Sequence, residues 1–280
     1  MIFKSGLYIV STPIGNLDDI TLRALETLKN SDVILCEDTR VSHKLLAKYN
    51  IKAILRVYND SSDAQVRDYV QELIASGKVV SLISDAGTPL ISDPGFKLVR
   101  DLKNSDIHID IVPGPCAAIA ALTLSGLPTD KFFFAGFLPK TREGKIAVFK
   151  SCKNLGCTII FYDTAKRLLS SLEVAHEIMG NRAANVAREL TKLYQESKTG
   201  SLLELIDHYK QNTLKGEIVL SISGETEDIV SLDNLHLEIE KLLSENMSAK
   251  NVTEILYEQN RGKFSRGEIY KLVNQLKADN

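Results

Sequence analysis

The stretch from Val79 to Gly95 reads VVSLISDAGTPLISDPG, a short apolar run followed by a loop rich in glycine, proline and aspartate. The β-branched and aliphatic residues at its start are typical of a buried strand. Small residues in the loop let the backbone approach a ligand closely, and the prolines stiffen it. Because ligands in open α/β sheets bind beyond the carboxyl ends of the strands, the stretch predicts a strand that ends in a binding loop.

The same pattern extends along most of the chain. Short apolar runs alternate with segments whose apolar residues repeat about every 3.6 positions, which predicts an α/β fold with a largely parallel sheet. The predicted strands are Leu7–Val10, Val33–Cys36, Val79–Ile83, Ile107–Val112, Phe132–Phe137, Thr158–Tyr162, Asn185–Arg188 and Glu217–Ile222. Gly/Pro loops also follow the first and fourth of these strands, and three such loops in one half favour a binding site over plain turns.

Breaks in this pattern suggest the domain organisation. Gly126 and Pro128 interrupt the chain after a predicted helix, and from Leu232 onward only helical spacing remains. We predict an N-terminal α/β domain at residues 1–127, a second α/β domain at 128–230, and a small helical tail at 231–280 that resembles a helix-turn-helix.

Composition limits the class of protein. The 280 residues include 34 Lys and Arg against 36 Asp and Glu, which excludes a disordered chain and argues against a basic surface over the whole protein. Residues 140–153 and 261–277 nevertheless each hold five basic side chains against one acidic. Such runs are usually solvated helix faces, but the aromatic residues Phe149, Phe264 and Tyr270 beside them also fit a nucleic-acid surface.

The compartment and the metal content follow from what the sequence lacks. It has no signal-peptide pattern at its start and no apolar run long enough to span a membrane, so we expect a cytoplasmic protein. The four cysteines form no CxxC pair, and the five histidines show no ligand spacing, so we expect reduced thiols and no metal site.

The loops also limit the ligand. The chain contains no GxGxxG, GxxxxGK[ST], GxSxG or HExxH motif, which argues against dinucleotide-binding, P-loop, serine-hydrolase and zincin chemistry. No lysine follows the loop glycines, and Asp85 and Asp93 would repel a phosphate. S-adenosylmethionine suits such a loop because it carries a sulfonium, an ammonium and a ribose diol. Asp85 could accept hydrogen bonds from this ligand, or it could simply cap a helix or brace the loop.

Several segments resemble the class III S-adenosylmethionine-dependent methyltransferases of tetrapyrrole-methylase fold, and within them the enzymes that methylate small-subunit ribosomal RNA. The segments are Gly6–Thr21, Cys36–Arg40, Ser84–Gly95, Val112–Ala117, Ser125–Pro128, Phe134–Lys140, Phe161–Tyr162, Arg188–Lys192 and Lys215–Glu217. The resemblance implies a homodimer of two-domain subunits with the cofactor in the cleft between the domains. It also implies methyl transfer to the ribose 2′-hydroxyl of a cytidine in the decoding region of 16S rRNA.

The resemblance further implies which residues bind the cofactor. These are Pro13, Gly15, Asp85, Ala86, Gly87, Pro89, Cys116, Ala117, Tyr162, Ala187 and Gly216. The sequence departs from the family pattern at two places, which limits the residue roles that the resemblance implies. Cys116 stands where the family usually has Ser, and 163–166 read DTAK where the family has ESPH, so that segment inherits no role.

The catalytic and RNA-binding residues are less clearly marked. A ribose hydroxyl is a weak nucleophile, so we expect a positioned general base, for which the candidates are Glu37, Asp38 and Glu189. The predicted RNA contacts are Arg40, Lys140, Arg142, Lys145, Lys192, Arg261, Lys263 and Arg266. The charges at 37–40 fit a strand-end ion pair with a helix cap equally well.

Two other hypotheses remain open from sequence. One is a class III methyltransferase that acts on a tetrapyrrole or a protein side chain, and the basic stretches and the helical tail argue against it. The other is a non-enzymatic S-adenosylmethionine-binding module of ribosome assembly, which would bind cofactor without transferring its methyl group.

Overall fold

The computed structural model describes residues 3–59, 64–212, 215–224, 232–245, 247–259 and 265–278. Contacts divide the chain into two compact units, Met1–Glu225 and Thr226–Asn280. The first unit holds two five-stranded sheets, and the second holds helices. Among the described residues, no helix is long and apolar enough to cross a membrane.

The first sheet is entirely parallel. Its strands are β1 (Gly6–Val10), β2 (Val33–Cys36), β3 (Ile54–Val57), β4 (Val79–Leu82) and β5 (Ile109–Val112), in the order β3-β2-β4-β1-β5. The connections carry α1 (Leu22–Lys29), α2 (Thr39–Lys48), α3 (Ala64–Ala75) and α4 (Phe96–Lys103), and α5 (Ala117–Ser125) follows β5. Because the strands are parallel, the loops that follow them gather at one edge of the sheet.

The second sheet is mixed. Its strands are β6 (Phe132–Phe137), β7 (Thr158–Thr164), β8 (Ala183–Arg188), β9 (Glu196–Ser201) and β10 (Glu217–Ile222), in the order β6-β7-β10-β8-β9. Only β6 and β7 pair in parallel, and the other three pairs are antiparallel. Its helices are α6 (Arg142–Cys152), α7 (Ala165–Met179) and α8 (Leu202–Gln211). The prediction of a largely parallel sheet is therefore confirmed for the first sheet and wrong for the second, where the short turn from β8 to β9 forms a hairpin.

Helix α5 joins the two sheets. Its residues Ala118, Ala121 and Leu122 are buried in one apolar cluster with Ile160 of β7 and Val219 of β10. The helix ends at Gly126, whose left-handed φ of +70° suits a glycine C-cap, and the predicted boundary at 127/128 falls just beyond it. The shared apolar cluster explains why both sheets belong to one compact unit.

The tail consists of α9 (Leu232–Ser244), α10 (Ala249–Gln259) and α11 (Arg266–Ala278). Its own core contains Leu235, Ile239, Val252, Leu256, Ile269 and Val273. Ser265 and Glu268 form a capping box, since each side chain accepts a hydrogen bond from the other's backbone N–H. Residues 260–264, between α10 and α11, lie outside the described residues.

Candidate active site

A cavity of about 320 Å³ lies where the loops of the first sheet face the second sheet. Six acidic residues line it: Glu37, Asp85, Asp93, Asp163, Glu189 and Glu217. Three of these are ion-paired, Asp163 with Arg167 and both Glu189 and Glu217 with Lys192, so the other three give the wall most of its negative charge. The described lining residues include no Lys, Arg or His. Such a wall attracts a cation and repels a phosphate. Even so, no three His, Cys, Asp or Glu side chains in the described part of the chain are grouped to hold a metal ion.

The loop after β4 is fixed by backbone bonds to the loop after β1. Thr12 and Gly87 each donate their N–H to the other's carbonyl oxygen, at 2.8 and 3.1 Å. The Thr12 hydroxyl also donates to the carbonyl of Ser84, 3.1 Å away. Gly87 has a φ of +86°, which only glycine adopts without strain, so the loop requires a glycine there. The small residues Ala86 and Gly87 thus reach the cavity on a rigid backbone.

Asp85 ties the loops after β2 and β4 together. Its carboxylate accepts a hydrogen bond from the backbone N–H of Asp38 at 3.1 Å, and its own N–H donates to Glu37 at 3.4 Å. The Asp85 and Glu37 side chains therefore stand side by side on the cavity wall. This arrangement combines the loop-bracing role that the sequence suggested with exposure to a ligand.

Asp93 is the most strongly perturbed carboxyl of the cavity. Burial is the main cause that raises its pKa to about 6; the nearby charges of Glu37 and Asp85 add to the shift, and a hydrogen bond from Ser84 opposes it. A cation in the cavity would favour the ionised form and bring the pKa back down.

Tyr162 closes the cavity from the second sheet and completes the N-terminus of α5. Cys116 is the N-cap residue of that helix but makes no side-chain cap bond. The Ala118 N–H instead donates to the Tyr162 hydroxyl, 3.2 Å away. Burial, with the neighbouring Cys116, raises the pKa of Tyr162, so the phenol stays neutral. The first turn of α5 thus takes this acceptor from β7 and not from its N-cap residue.

Asp38 is placed as a helix cap. Its carboxylate accepts hydrogen bonds from the N–H of Arg40 at 2.8 Å and from the Arg40 guanidinium at 3.0 Å. These bonds lower its pKa to about 2, and it does not line the cavity. Both facts argue against a general-base role and favour the ion-pair and cap alternative.

Glu189 lines the cavity but acts as a brace. Its carboxylate accepts hydrogen bonds from the N–H of Glu217 at 3.0 Å and from the Lys192 ammonium at 3.1 Å, which lower its pKa. Gly216 packs so closely on it that an added Cβ would lie 2.4 Å from its carboxylate oxygen. A carboxylate stabilised in this way is a weak base.

Comparisons with known proteins identify the family of this chain. The sequence pattern of the tetrapyrrole (corrin/porphyrin) methylases matches residues 6–206. A protein from Rickettsia prowazekii described as ribosomal RNA small subunit methyltransferase I is 59% identical over 277 residues, which cover 99% of each chain. The Synechocystis protein of that description is 40% identical over 98% of this chain and 99% of its own.

The chain belongs to the ribosomal RNA small subunit methyltransferase I group of the tetrapyrrole methylases.

Solved structures resemble the fold of this methylase. Diphthine synthase matches with a TM-score of 0.63 and 15% identity, over 79% of this chain and 90% of that one. Cobalt precorrin-4 methyltransferase matches with a TM-score of 0.56 and 20% identity, over 78% of this chain and 94% of that one. At these identities the likeness shows a common fold and nothing about the substrate.

The structure separates the predicted cofactor residues of the methylase into two sets. Seven line the cavity: Asp85, Ala86, Gly87, Cys116, Ala117, Tyr162 and Ala187. The other four, Pro13, Gly15, Pro89 and Gly216, are not among its lining residues. Gly15 instead packs against Thr191 and Lys192, where an added Cβ would lie within 2.7 Å of each side chain.

Several cavity residues were missed from sequence. Phe137, Leu190 and Glu217 line the cavity, and although each lies in a segment that carries the resemblance, none was among the predicted cofactor residues. They belong to the second sheet, and only its packing on α5 brings them to the cavity. Asp93 was visible in the loop after β4, but its burial was not.

The predicted RNA contacts also differ in their surroundings. Lys140 is exposed, and Arg40 is 87% exposed on its side chain although it pairs with Asp38. Arg142 and Arg266 are also exposed, and they pair with Glu177 and Glu254. Lys192 bonds to Glu189 and to Glu217, at 3.1 and 2.8 Å. Arg261 and Lys263 lie outside the described residues.

The structure corrects the prediction that Lys145 contacts RNA. Its side chain is buried, with 2% of the residue exposed, and its ammonium lies 3.2 Å from the Ser170 hydroxyl. Because the side chain is buried, it cannot serve as a surface contact for RNA. The burial also lowers the pKa of its ammonium. Phe149, offered as its aromatic neighbour, is also fully buried in the core of the second half.

Proposed function

We propose that this chain transfers a methyl group from S-adenosylmethionine to the ribose 2′-hydroxyl of a cytidine in the 16S rRNA of the small ribosomal subunit. The observation that carries the proposal is 59% identity, over 99% of both chains, to ribosomal RNA small subunit methyltransferase I of Rickettsia prowazekii. The acidic cavity fits the cofactor, because sulfonium and ammonium are cations and the molecule carries no phosphate. When bound, S-adenosylmethionine supplies an electrophilic methyl group on sulfur.

The residues of the first half hold the cofactor. Asp85 and Asp93 offer carboxylates to its positive groups, and Ala86, Gly87 and Ala117 allow close backbone approach. Asp85 is already oriented by its bond from Asp38, so little ordering is needed on binding. Pro13, Gly15, Pro89 and Gly216 act by holding the loops in place rather than by contact.

The residues of the second half exclude water. Phe137, Leu190 and Val219 form apolar parts of the cavity wall, opposite Ile14 of the first half. Excluding water matters because water competes with the ribose hydroxyl as a methyl acceptor. The neutral Tyr162 contributes to this wall without adding a charge.

Glu37 is the general base that we propose. Of the three predicted candidates, Asp38 caps a helix and Glu189 is held by Lys192, whereas Glu37 lines the cavity beside Asp85. A positioned carboxylate contributes about 10²–10⁴-fold in such proton transfers.

RNA contacts and assembly extend the proposal. Arg40, Lys140 and Arg142 are exposed cations for the RNA backbone, and the helical tail offers Arg261, Lys263 and Arg266 in addition.

We also propose a homodimer. Its support is the β6 edge, which is bonded to β7 alone and exposes Phe132, Phe133 and Phe137. Because the acceptor is the ribosomal subunit, the site of action is the cytoplasm.

One experiment separates this function from its alternatives. The protein is incubated with labelled S-adenosylmethionine and, in parallel, with small ribosomal subunits that lack the modification, a tetrapyrrole precursor, or ribosomal protein alone. Label in RNA supports the proposal, label in the tetrapyrrole or protein contradicts it, and cofactor binding without transfer indicates a binding module. Asp85→Ala should abolish cofactor binding in calorimetry, and unchanged binding would remove Asp85 from the site.

A further inference from the structure

The turn from β8 to β9 holds two large apolar side chains in solvent, here named the 193–194 pair. Leu193 is 88% exposed and Tyr194 is 70% exposed. Single exposed apolar residues are ordinary on protein surfaces, so exposure alone does not indicate function. The position of the pair and the rigidity of its turn distinguish it.

The pair lies next to the cavity wall. Glu189 and Leu190, at the start of the same turn, line the cavity. The turn folds back tightly, since the N–H of Lys192 donates to the carbonyl of Glu189 at 3.0 Å and the N–H of Gln195 donates to that of Lys192 at 3.1 Å. Four residues span at most about 14 Å, so Tyr194 lies within that distance of the wall.

The turn is rigid because its backbone is over-determined. Glu189 and Thr191 have φ values of +48° and +65°, a strained region for residues other than glycine. The strain is offset by hydrogen bonds: the Thr191 hydroxyl accepts from the N–H of Asn16 at 2.9 Å, and the Thr191 N–H donates to Gln195 at 2.6 Å. The Arg188 guanidinium donates a hydrogen bond to the carbonyl oxygen of Tyr194, 3.1 Å away.

The cations beside the turn are already paired. Arg188 lies 3.5 Å from the carboxylate of Glu196. Lys192 bonds to the carboxylates of Glu189 and Glu217, at 3.1 and 2.8 Å. A phosphate would therefore gain little at this turn, whereas a flat apolar group would meet two ordered, uncovered side chains. The chemistry of the turn suits a base rather than the RNA backbone.

We propose that the 193–194 pair contacts RNA beside the cavity, with the Tyr194 ring stacked on an unpaired base next to the nucleotide that enters it. The proposal rests on the proposed function. A nucleotide that leaves its stack to reach a cavity deprives its neighbour of a stacking partner, and an aromatic side chain replaces that partner. Because the turn is rigid before RNA arrives, this contact has a low ordering cost.

The test measures the affinity for small ribosomal subunits in the presence of S-adenosylhomocysteine, so that no transfer is needed. Tyr194→Ala should weaken binding roughly tenfold, the order of one lost base stack, while Tyr194→Trp should bind as the wild type does. Leu22→Ala is the matched control, since Leu22 is 83% exposed at the start of α1, outside the turn. Cofactor affinity by calorimetry should be equal in all variants.

Two results overturn the proposal: Tyr194→Ala binds subunits as tightly as the wild type, or it converts a wild-type dimer to a monomer in light scattering. The second result would assign the pair to an interface between copies of the chain. The proposed function is tested separately, by measuring methyl transfer with the wild-type protein. A wild type that binds subunits through Tyr194 but transfers no methyl group would leave the stacking contact standing and refute the function.

Discussion

The hydroxyl of Tyr162 accepts a hydrogen bond from the backbone N–H of Ala118, 3.2 Å away. The bond joins β7 of the second sheet to the first turn of α5, the helix that follows the first sheet. It provides an acceptor that the N-cap residue Cys116 does not provide. One phenol thus satisfies a helix terminus and forms part of the cavity wall.

Removing this hydroxyl should destabilise the protein. Tyr162→Phe leaves the Ala118 N–H without its acceptor, so we expect a loss of about 1–2 kcal/mol in the free energy of unfolding, measured by urea denaturation. Cys116→Ser in the same background supplies a capping hydroxyl and should restore most of the loss. Equal stability of Tyr162→Phe and wild type, or no rescue, would show that the bond is not what holds this helix end.

Cofactor binding should depend on pH through Asp93. Its pKa of about 6 means that the carboxyl is largely protonated at pH 5 and ionised at pH 7. Since the ionised form attracts the cationic cofactor, affinity should rise about tenfold between these values. Calorimetry on wild type and Asp93→Asn checks this, and an equally steep pH dependence in the variant would exclude Asp93 as the titrating group.

The raised pKa of Asp93 also predicts how the stability of the folded protein changes with pH. The folded-state pKa of Asp93 lies above its ordinary value of 3.8, so its contribution to stability is complete below that value and is lost as pH rises through about 6. Asp93→Asn should therefore raise the Tm of the cofactor-free protein at pH 8 and leave it nearly unchanged at pH 4. A larger gain at pH 4 than at pH 8 would reverse the sign and contradict the assignment.

Gly216 should not tolerate a side chain. Its φ of +100° and the Glu189 carboxylate at 2.4 Å from an added Cβ make Gly216→Ala costly, by about 2 kcal/mol or more. Gly156→Ala is the matched control because nothing lies within 4 Å of its added Cβ. Urea denaturation of both variants measures the difference. Similar free energies of unfolding would mean that Glu189 does not depend on the close approach of Gly216.

Glu37 and Glu189 should respond differently to the loss of charge. Glu37→Gln should lower kcat by about 100-fold or more at unchanged cofactor affinity, as expected for loss of a general base. Glu189→Gln should act chiefly on stability, because its carboxylate binds Lys192 and the Glu217 N–H. Wild-type kcat in Glu37→Gln would reject the proposed base.

Lysines of one basic stretch should differ in their effect on RNA binding. Lys140→Ala should weaken subunit binding and reduce the salt dependence of log K by about 0.7, because Lys140 is exposed. Lys145→Met should leave that salt dependence unchanged, because Lys145 is buried against Ser170. Filter binding at several salt concentrations compares them, and a reduced salt slope in Lys145→Met would contradict its burial.

Apolar composition explains which strands could be predicted, including β6, which lies at a sheet edge. Strands β2, β6 and β10 begin and end at the predicted residues, and each is composed mainly of apolar residues. Strands β3 and β9 were missed, since both are edge strands that carry exposed or polar side chains, as in Glu196–Ser201. In α6, the buried residues Lys145, Phe149 and Cys152 follow helical spacing, a signal that charge counting overlooked.

The part of the site that could be predicted consists of residues that are adjacent in the sequence. Asp85, Ala86 and Gly87 are contiguous in one loop, so their composition indicated a ligand. Glu189 follows β8 and Glu217 begins β10, and the contact between them depends on an antiparallel pairing that a single sequence does not specify.

The position of the transferred methyl group tests the central claim most directly. Small subunits from cells that lack this activity are incubated with the wild-type protein and labelled cofactor, and their RNA is then hydrolysed in alkali. Because alkaline cleavage needs a free 2′-hydroxyl, we predict that the label remains in an alkali-resistant dinucleotide that begins with cytidine. Label in a base, in a ribosomal protein or in no product would contradict the account.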